Sequence, residues 1–281
     1  MVRVLGTDPP KLWGDCVPFA ALVVSALVYG VSAVLPVSAA THALLLETAL
    51  GWPAPAPGVA AAMNLGVALA LATVLGSDLW RMAAGLVQAA KRRRDPGAKL
   101  VLHLTIASAP LIAAGLGMAQ AGETGAPLDL ATAGVVSIAF GVLLYLTDRI
   151  GMTIRRVEHM GAKGALALGL FQLLALVPGA GRMGASVVGA RILGYERVEA
   201  ARVALLMGIP VTLALAGDAA GRAEGFGSDA LIAGGLAFLA AMAGASTILA
   251  SMKRGRFTSF AGYRVVLGAA ILAWLYLPLP A

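Results

Sequence analysis

Charge is scarce in this chain. Only 12% of its 281 residues are Asp, Glu, Lys or Arg, and just 14 of those are acidic, where soluble domains carry roughly 25% charge. So little charge cannot clothe a water-facing surface of that size. Cysteine is nearly missing as well: Cys16 stands alone, which excludes an internal disulfide and any cysteine-based metal cluster. No Walker loop, HExxH or CxxC motif occurs, so nucleotide hydrolysis and zinc chemistry have no support.

What fills the chain instead is apolar. Hydrophobic residues make up 59%, against roughly 45 to 50% in soluble domains, and they fall in long runs. This composition predicts an all-α polytopic membrane protein. The net charge of +7 would suggest nucleic acid in a soluble chain. Here the cations cluster in short loops between apolar runs, as juxtamembrane charge does, so the partner is the membrane and not nucleic acid.

Apolar runs long enough to cross ~30 Å of hydrocarbon are expected at about Val59 to Trp80, Leu100 to Ala119, Leu130 to Thr147, Ala200 to Ala216, Ala230 to Met252 and Arg264 to Leu279. Two further runs are interrupted. Val17 to Leu35 stops at Pro36 and resumes as Thr41 to Trp52; Ala165 to Gly194 is broken at Pro178 to Gly181. The small residues after Pro36 give the first run the look of a signal peptide, but it is long and the chain stays apolar beyond it. Each interrupted run reads better as a re-entrant helical pair.

Three loops are basic: Lys91 to Arg94 with Lys99; Arg149, Arg155, Arg156 and Lys163; and Lys253, Arg254 and Arg256. They share the cytoplasmic side only if the re-entrant pairs cross nothing, which leaves both termini outside. Each half then holds one broken pair and three spans, an odd number, so the halves are expected to be inverted repeats, about 17–147 and 164–280 of a single membrane domain. Pro36 and Pro178 lie 142 residues apart, and Ala33-Val34-Leu35-Pro36 matches Ala175-Leu176-Val177-Pro178. Inverted repeats place their sites where broken helices meet at the midplane.

The breaks also hold the chemistry. Arg182 lies in an apolar run, and a lone Arg at that depth normally faces a partner, water or a ligand. Gly179, Gly181 and Gly184 let backbone N–H groups around it converge into an anion-binding nest. In the first break Ser38 is a plausible N-cap, with Thr41 and His42 close behind, and a phosphate held at that helix start would meet Arg182 from the other half. Blander readings suit the remaining polar residues. Asp78 with Arg81 is expected as a surface i,i+3 pair, Asp148 with Arg149 as a span end, Glu196 and Glu199 as a helix start, and Trp52, Trp80, Trp274 and Tyr276 as interfacial aromatics.

Gly30 to His42 together with Gln172 to Gly184 resemble the two signature segments of the bacterial undecaprenyl-diphosphate phosphatases, the bacitracin-resistance family. That family reads E-G-x-T-E-F-L-P-V-S-S-T-G-H and Q-x-x-A-x-x-P-G-x-S-R-S-G. Further similarity falls at Asn64-Leu65-Gly66, Asp78 to Arg81, Thr105 to Pro110, Asp148-Arg149 and Phe257 to Gly268. The resemblance implies interlocked inverted repeats in the inner membrane, a polyprenyl diphosphate lipid as ligand, and hydrolysis of its phosphoanhydride so that the monophosphate returns to cell-wall synthesis. It carries over Arg182, His42 and Ser38 as catalytic residues, and Arg182, Gly179, Gly181, Gly184, Gln172 and Thr41 as substrate-binding residues. A homodimer is one assembly open to such a protein.

This chain departs from the pattern at several motif positions. Tyr29 and Ala33 stand at the two glutamates, Ala39 and Ala40 at the second serine and the threonine, Thr41 at the glycine, and Gly181 and Met183 at the serines flanking the arginine. The Mg²⁺ or Ca²⁺ that the family suggests wants carboxylate oxygens, and these positions supply none. Glu47 lies on another face of its helix, ~140° from His42. Two functions follow: a diphosphatase with a modified site, or a non-catalytic protein that binds or translocates the lipid phosphate.

Overall fold

The computed structural model describes residues 16–120, 129–150 and 154–277. Its helices are α1 (Cys16–Val34), α2 (Ala39–Leu50), α3 (Pro57–Val74), α4 (Gly76–Ala90), α5 (Pro96–Gln120), α6 (Leu130–Ile150), α7 (Ala162–Leu173), α8 (Arg182–Ile192), α9 (Arg197–Gly221), α10 (Ser228–Met252) and α11 (Thr258–Tyr276), with no strand among the described residues. Six of them, α3, α5, α6, α9, α10 and α11, are long and apolar enough to cross a membrane. The protein is an all-helical, multi-pass membrane protein.

One expected span is shorter than the sequence suggested. The run from Val59 to Trp80 ends at Val74, because Leu75 leaves helical geometry (φ −100°, ψ 22°) and α4 begins at Gly76. Gly76-Ser77-Asp78 is poorly suited to hydrocarbon, and Asp78 is drawn to a cation on another helix.

Contacts between helices fix the direction of each. Helices α3 and α9 run antiparallel: Gly58 meets Gly225, Leu71 meets Gly208, and Asp78 pairs with Arg202. Helix α10 runs beside α3 where Gly66 abuts the Gly234 carbonyl, and α11 packs on α6 where a Cβ at Gly268 would come within 2.5 Å of the Gly134 carbonyl. With no hydrophobic drive between helices in lipid, such small-residue seams let backbones approach and gain dispersion contact.

The loops at 91–99, 154–163 and 253–256 consequently gather at one end of the bundle. From the opposite end α1 descends beside α10, with Gly30 against Ala237 and Val34 against Gly244, and turns at 35–38. From the basic end α7 runs beside α5, with Gly169 against Ala107 and Pro110, and turns at 177–181 before α8 leads back to Tyr195, which bridges Arg155. The two breaks meet inside the bundle.

The expected surface pair at Asp78 is instead buried and rewired, and Asp148, which with Arg149 does mark the end of a span, is buried as well. Asp78 is 4% exposed, and both its carboxylate oxygens are taken by Arg202, whose Nη1 also reaches Glu199 at 3.3 Å; Arg81 is exposed. Asp148, 1% exposed, accepts from Arg197 Nε at 2.7 Å and lies 3.5 Å from Arg191 Nε, while Arg149 sits 4.8 Å over the Tyr145 ring. Sequence spacing identifies only neighbours on the same helix, whereas a buried carboxylate takes whichever cation shares its interior. Glu196 and Glu199 do open α9, as its N-cap and first turn. Trp80, Trp274 and Tyr276 face outward.

Removing one partner of a buried ion pair typically costs ~3 to 5 kcal/mol because the other charge is left uncompensated. Arg202→Met should therefore lower the thermal unfolding temperature in detergent markedly. The double variant with Asp78→Leu should recover most of that loss.

Candidate functional site at the meeting of the two breaks

The first break is a tight turn. Val37 N–H donates to the Leu35 carbonyl at 2.8 Å around Pro36, and Ser38 follows at φ 71°, ψ 95° as the N-cap of α2. A non-glycine residue held there stores of the order of 1 to 3 kcal/mol and persists only when its surroundings fix it. They do so here. The Ser38 Oγ accepts from Thr41 N–H at 3.4 Å and from Thr41 Oγ1 at 3.0 Å, and Thr41 is fully buried.

The second break needs glycine in two places. Gly179 at φ 98° and Gly181 at φ 71° occupy backbone regions that side chains disfavour. A Cβ at Gly181 would also stand 2.7 Å from Ser38 Cα, so the two breaks touch backbone to backbone.

Arg264 of α11 ties them together. Its guanidinium, fully buried, donates to Pro36 O of the first break at 3.0 Å, to Gly179 O and Ala180 O of the second at 2.5 and 3.0 Å, and through Nε to Ser137 O at 3.4 Å. Phe140 lies 5.5 Å beneath it. Among the described residues it has no carboxylate partner; peptide carbonyls and the Phe140 ring surround it.

Arg182, at the start of α8, points elsewhere. Its Nη2 donates to Ala33 O at 3.1 Å, and Nη1 lies against Gly208 in the middle of α9. A guanidinium has five N–H donors, and Ala33 O is its one hydrogen-bond partner among the described residues. It borders a cavity of about 270 Å³ whose polar inner wall is Ser32, Ser38, Gly181 and Arg182 and whose remaining wall is apolar, from Leu111 and Leu116 of α5 to Val211 and Leu215 of α9. At its outer edge Asp218 is paired with Arg222 at 2.5 Å.

The cavity thus gathers Ser38, Gly181 and Arg182 and leaves the other candidates outside. His42, expected opposite Arg182, does not line it. Its Nδ1–H donates to Ser38 O at 2.8 Å, one turn back on the same helix, and its Nε2 accepts from Tyr263 Oη at 2.6 Å, with the two rings stacked at 5.8 Å. Both ring nitrogens are engaged. Gly184 makes room for Arg264, since a Cβ there would lie 2.7 Å from Nη1, and Gly179 offers that arginine its carbonyl. Gln172 is buried between α7 and α8, donating to Ser186 Oγ at 3.3 Å, and Thr41 turns to Ser38.

Arg264 and Tyr263 were overlooked as site residues, although the signal was the one that singled out Arg182: an arginine in an apolar run. The run pattern places Arg264 at the start of a span, whereas α11 begins at Thr258 and carries it well inside the helix.

A divalent cation does not fit this donor set. Tyr29 donates its hydroxyl to Asn64 Oδ1 at 2.6 Å, and Ala33 offers only the carbonyl that Arg182 already takes. Glu47 lies with Tyr29 and Trp52 beside a separate small recess. Among the described residues no three His, Cys, Asp or Glu side chains converge.

A cavity with a guanidinium and a hydroxyl at one end and apolar walls beyond, where two broken helices meet in an all-helical membrane protein, has the shape and polarity to suit an amphiphilic anion. Residues 22–270 match the model of the bacitracin resistance protein BacA family, and the chain belongs to that family. Similar relatives include undecaprenyl-diphosphatase 1 of Rhodospirillum rubrum, 41% identical over 91% of this chain and 95% of that one. Undecaprenyl-diphosphatase 1 of Paramagnetospirillum magneticum is 36% identical over 92% and 98%, and the undecaprenyl-diphosphatase of Roseobacter denitrificans 34% over 91% and 98%.

Replacing Arg264 would leave buried carbonyls of both breaks without a donor, at ~1 to 3 kcal/mol for each group left unsatisfied. Arg264→Met should unfold at clearly lower temperature in detergent. Arg264→Lys, with three donors of different geometry, should fall between the two.

Proposed function

We propose that this protein removes the terminal phosphate of a polyprenyl diphosphate carrier lipid of the undecaprenyl kind in the bacterial inner membrane, returning the monophosphate to cell-wall synthesis. The observation that carries this reading is Arg182: a guanidinium with unused donors beside the Ser38 hydroxyl, at the polar end of an otherwise apolar cavity. The names of the relatives agree with it.

In this reading the diphosphate lies against Arg182 and the first isoprene units along the apolar wall between α5 and α9. Water adds to the terminal phosphorus, the bridging P–O bond breaks towards the lipid, and inorganic phosphate leaves. Arg182 offsets the charge on the phosphoryl oxygens, the part that preorganised cations play in such transfers. Ser38 lines the cavity beside Arg182, where its hydroxyl can donate to a phosphoryl oxygen. His42 serves as a positioning residue, holding the Ser38 carbonyl and so the strained turn.

We also propose that the halves at about 17–147 and 164–280 are inverted repeats, and that the basic end faces the cytoplasm. The broken pairs entering from opposite ends support the first, and the three basic loops at one end support the second.

A second reading, a binding or translocating protein without catalysis, is favoured by one observation: the cavity wall carries no carboxylate near Arg182 and no imidazole. Phosphate release from a polyprenyl diphosphate by the purified protein, with and without Mg²⁺ or Ca²⁺, separates the two. Release is expected, and tight binding without release under either condition would establish the second reading. Losing a charge-assisted hydrogen bond to an anion is worth ~1.5 to 3 kcal/mol, so Arg182→Ala should weaken lipid-diphosphate binding at least ~10-fold. Tyr29→Glu, Ala33→Glu and Ala39→Ser together restore oxygen donors beside Arg182 and should raise turnover in a metal-dependent way, by the ~10² to 10⁴ typical of positioned acid–base groups.

A further inference from the structure

Helix α4 is unlike the membrane-spanning helices. At 15 residues it is too short to cross, and its two long faces differ. One face is buried: Asp78 pairs with Arg202 of α9, and Gly85 packs on the start of α5, where a Cβ would lie 2.8 Å from Gly97 C. The opposite face is apolar and bare, with Trp80 77%, Leu86 50% and Val87 55% exposed and Ala83, Ala84 and Ala90 between them. A helix standing in water would not carry such a stripe.

Four cations follow it directly. Lys91, Arg92, Arg93 and Arg94 are all exposed, Arg92 holds the helix end at φ 58°, and no carboxylate pairs with any of the four among the described residues. The one acidic residue of this turn, Asp95, is committed to the Gly97 N–H at 2.7 Å. Lys253, Arg254 and Arg256, which leave α10 at the same end, are exposed and, among the described residues, equally without carboxylate partners.

We propose that α4 and the 91–94 turn form a binding site for anionic phospholipid: the apolar stripe beds in the acyl boundary, Trp80 sits at headgroup level, and the unpaired cations bind phosphate headgroups of that leaflet. An apolar face joined to a basic terminus is the pattern of helices that lie in a charged interface. A second copy of the chain is the weaker occupant, because two such faces would bring two sets of unpaired cations together. The site is separate from the cavity at Arg182 and does not depend on how that cavity is read.

The full chain is reconstituted in phosphatidylcholine vesicles containing a minority of phosphatidylglycerol, with bromine on the acyl chains of one lipid or the other. The quenching lost in Trp80→Phe isolates the Trp80 signal. Brominated phosphatidylglycerol is expected to quench Trp80 beyond its share of the lipid, and added salt should erase that excess. In the variant with Lys91, Arg92, Arg93 and Arg94 all changed to Gln the preference should disappear, falling about fivefold for each cation removed. Quenching by the two lipids in proportion to their abundance would overturn the anionic site. Failure of either lipid to quench Trp80 would show the stripe covered by something else, and would overturn it too. The salt titration on the unaltered chain decides the matter even if the variant does not fold.

Discussion

Arg264 solves a problem that the two breaks create. Ending two helices inside a bundle leaves carbonyls that water would otherwise satisfy, and each such group is costly in hydrocarbon. One guanidinium accepts this task for both breaks at once, taking Pro36 O from one and Gly179 O and Ala180 O from the other. The exchange is mutual. A cation with no carboxylate near it is tolerable at that depth only because several oriented peptide dipoles converge on it. Gly184 is needed to admit the guanidinium, and Gly181 to let Ser38 come against the second turn. The shape of the cavity wall therefore depends on a residue that does not line it.

The carboxylates are arranged by a different logic. Asp78 and Asp148 are buried near the basic end, where each takes an arginine or two from α8 or α9. These links join α4 to α9 and α6 to both α8 and α9, so the helix that follows the second break is held at its far end by charge and at its near end by Arg264. Buried pairs of this kind add little net stability over apolar packing, but the wrong register is heavily penalised. What they contribute is a fixed angle for α8, and with it a fixed place for Arg182.

Much of this was legible from residue patterns. The six spans, both interruptions and the helix start at Ser38 follow from run length, proline and capping chemistry, which act within a few residues. Arg182 was legible because one charge in an apolar run must be explained. Tertiary pairings were not. Arg81 is three residues from Asp78, yet Arg202, 124 residues away, holds that carboxylate. His42 looked like a partner for Arg182 because the two motifs meet, but the backbone carbonyl one turn back and the Tyr263 hydroxyl claim its ring first. Which of several hydrogen-bonding partners an imidazole takes depends on side-chain direction, and spacing along the chain does not encode it.

The alanine at position 33 changes the charge balance of the cavity. In the family pattern a glutamate stands there, next to the arginine, and a carboxylate in that place would neutralise the guanidinium before any ligand arrived. Here Arg182 receives only the Ala33 carbonyl, and at the outer edge the Asp218 carboxylate is already matched by Arg222. The cavity is left with a net positive charge in surroundings of low polarity, where the attraction between opposite charges several ångströms apart is many times what it is in water. In the proposed reading a lipid diphosphate entering it would meet no carboxylate to repel it near Arg182. The same arrangement places no base beside the water that must attack. In the proposed reading, alanine and tyrosine in place of the glutamates separate two properties that a carboxylate site joins, favouring the hold on the anion while removing the usual means of activating water, and leave the Ser38 hydroxyl as the polar side chain beside Arg182.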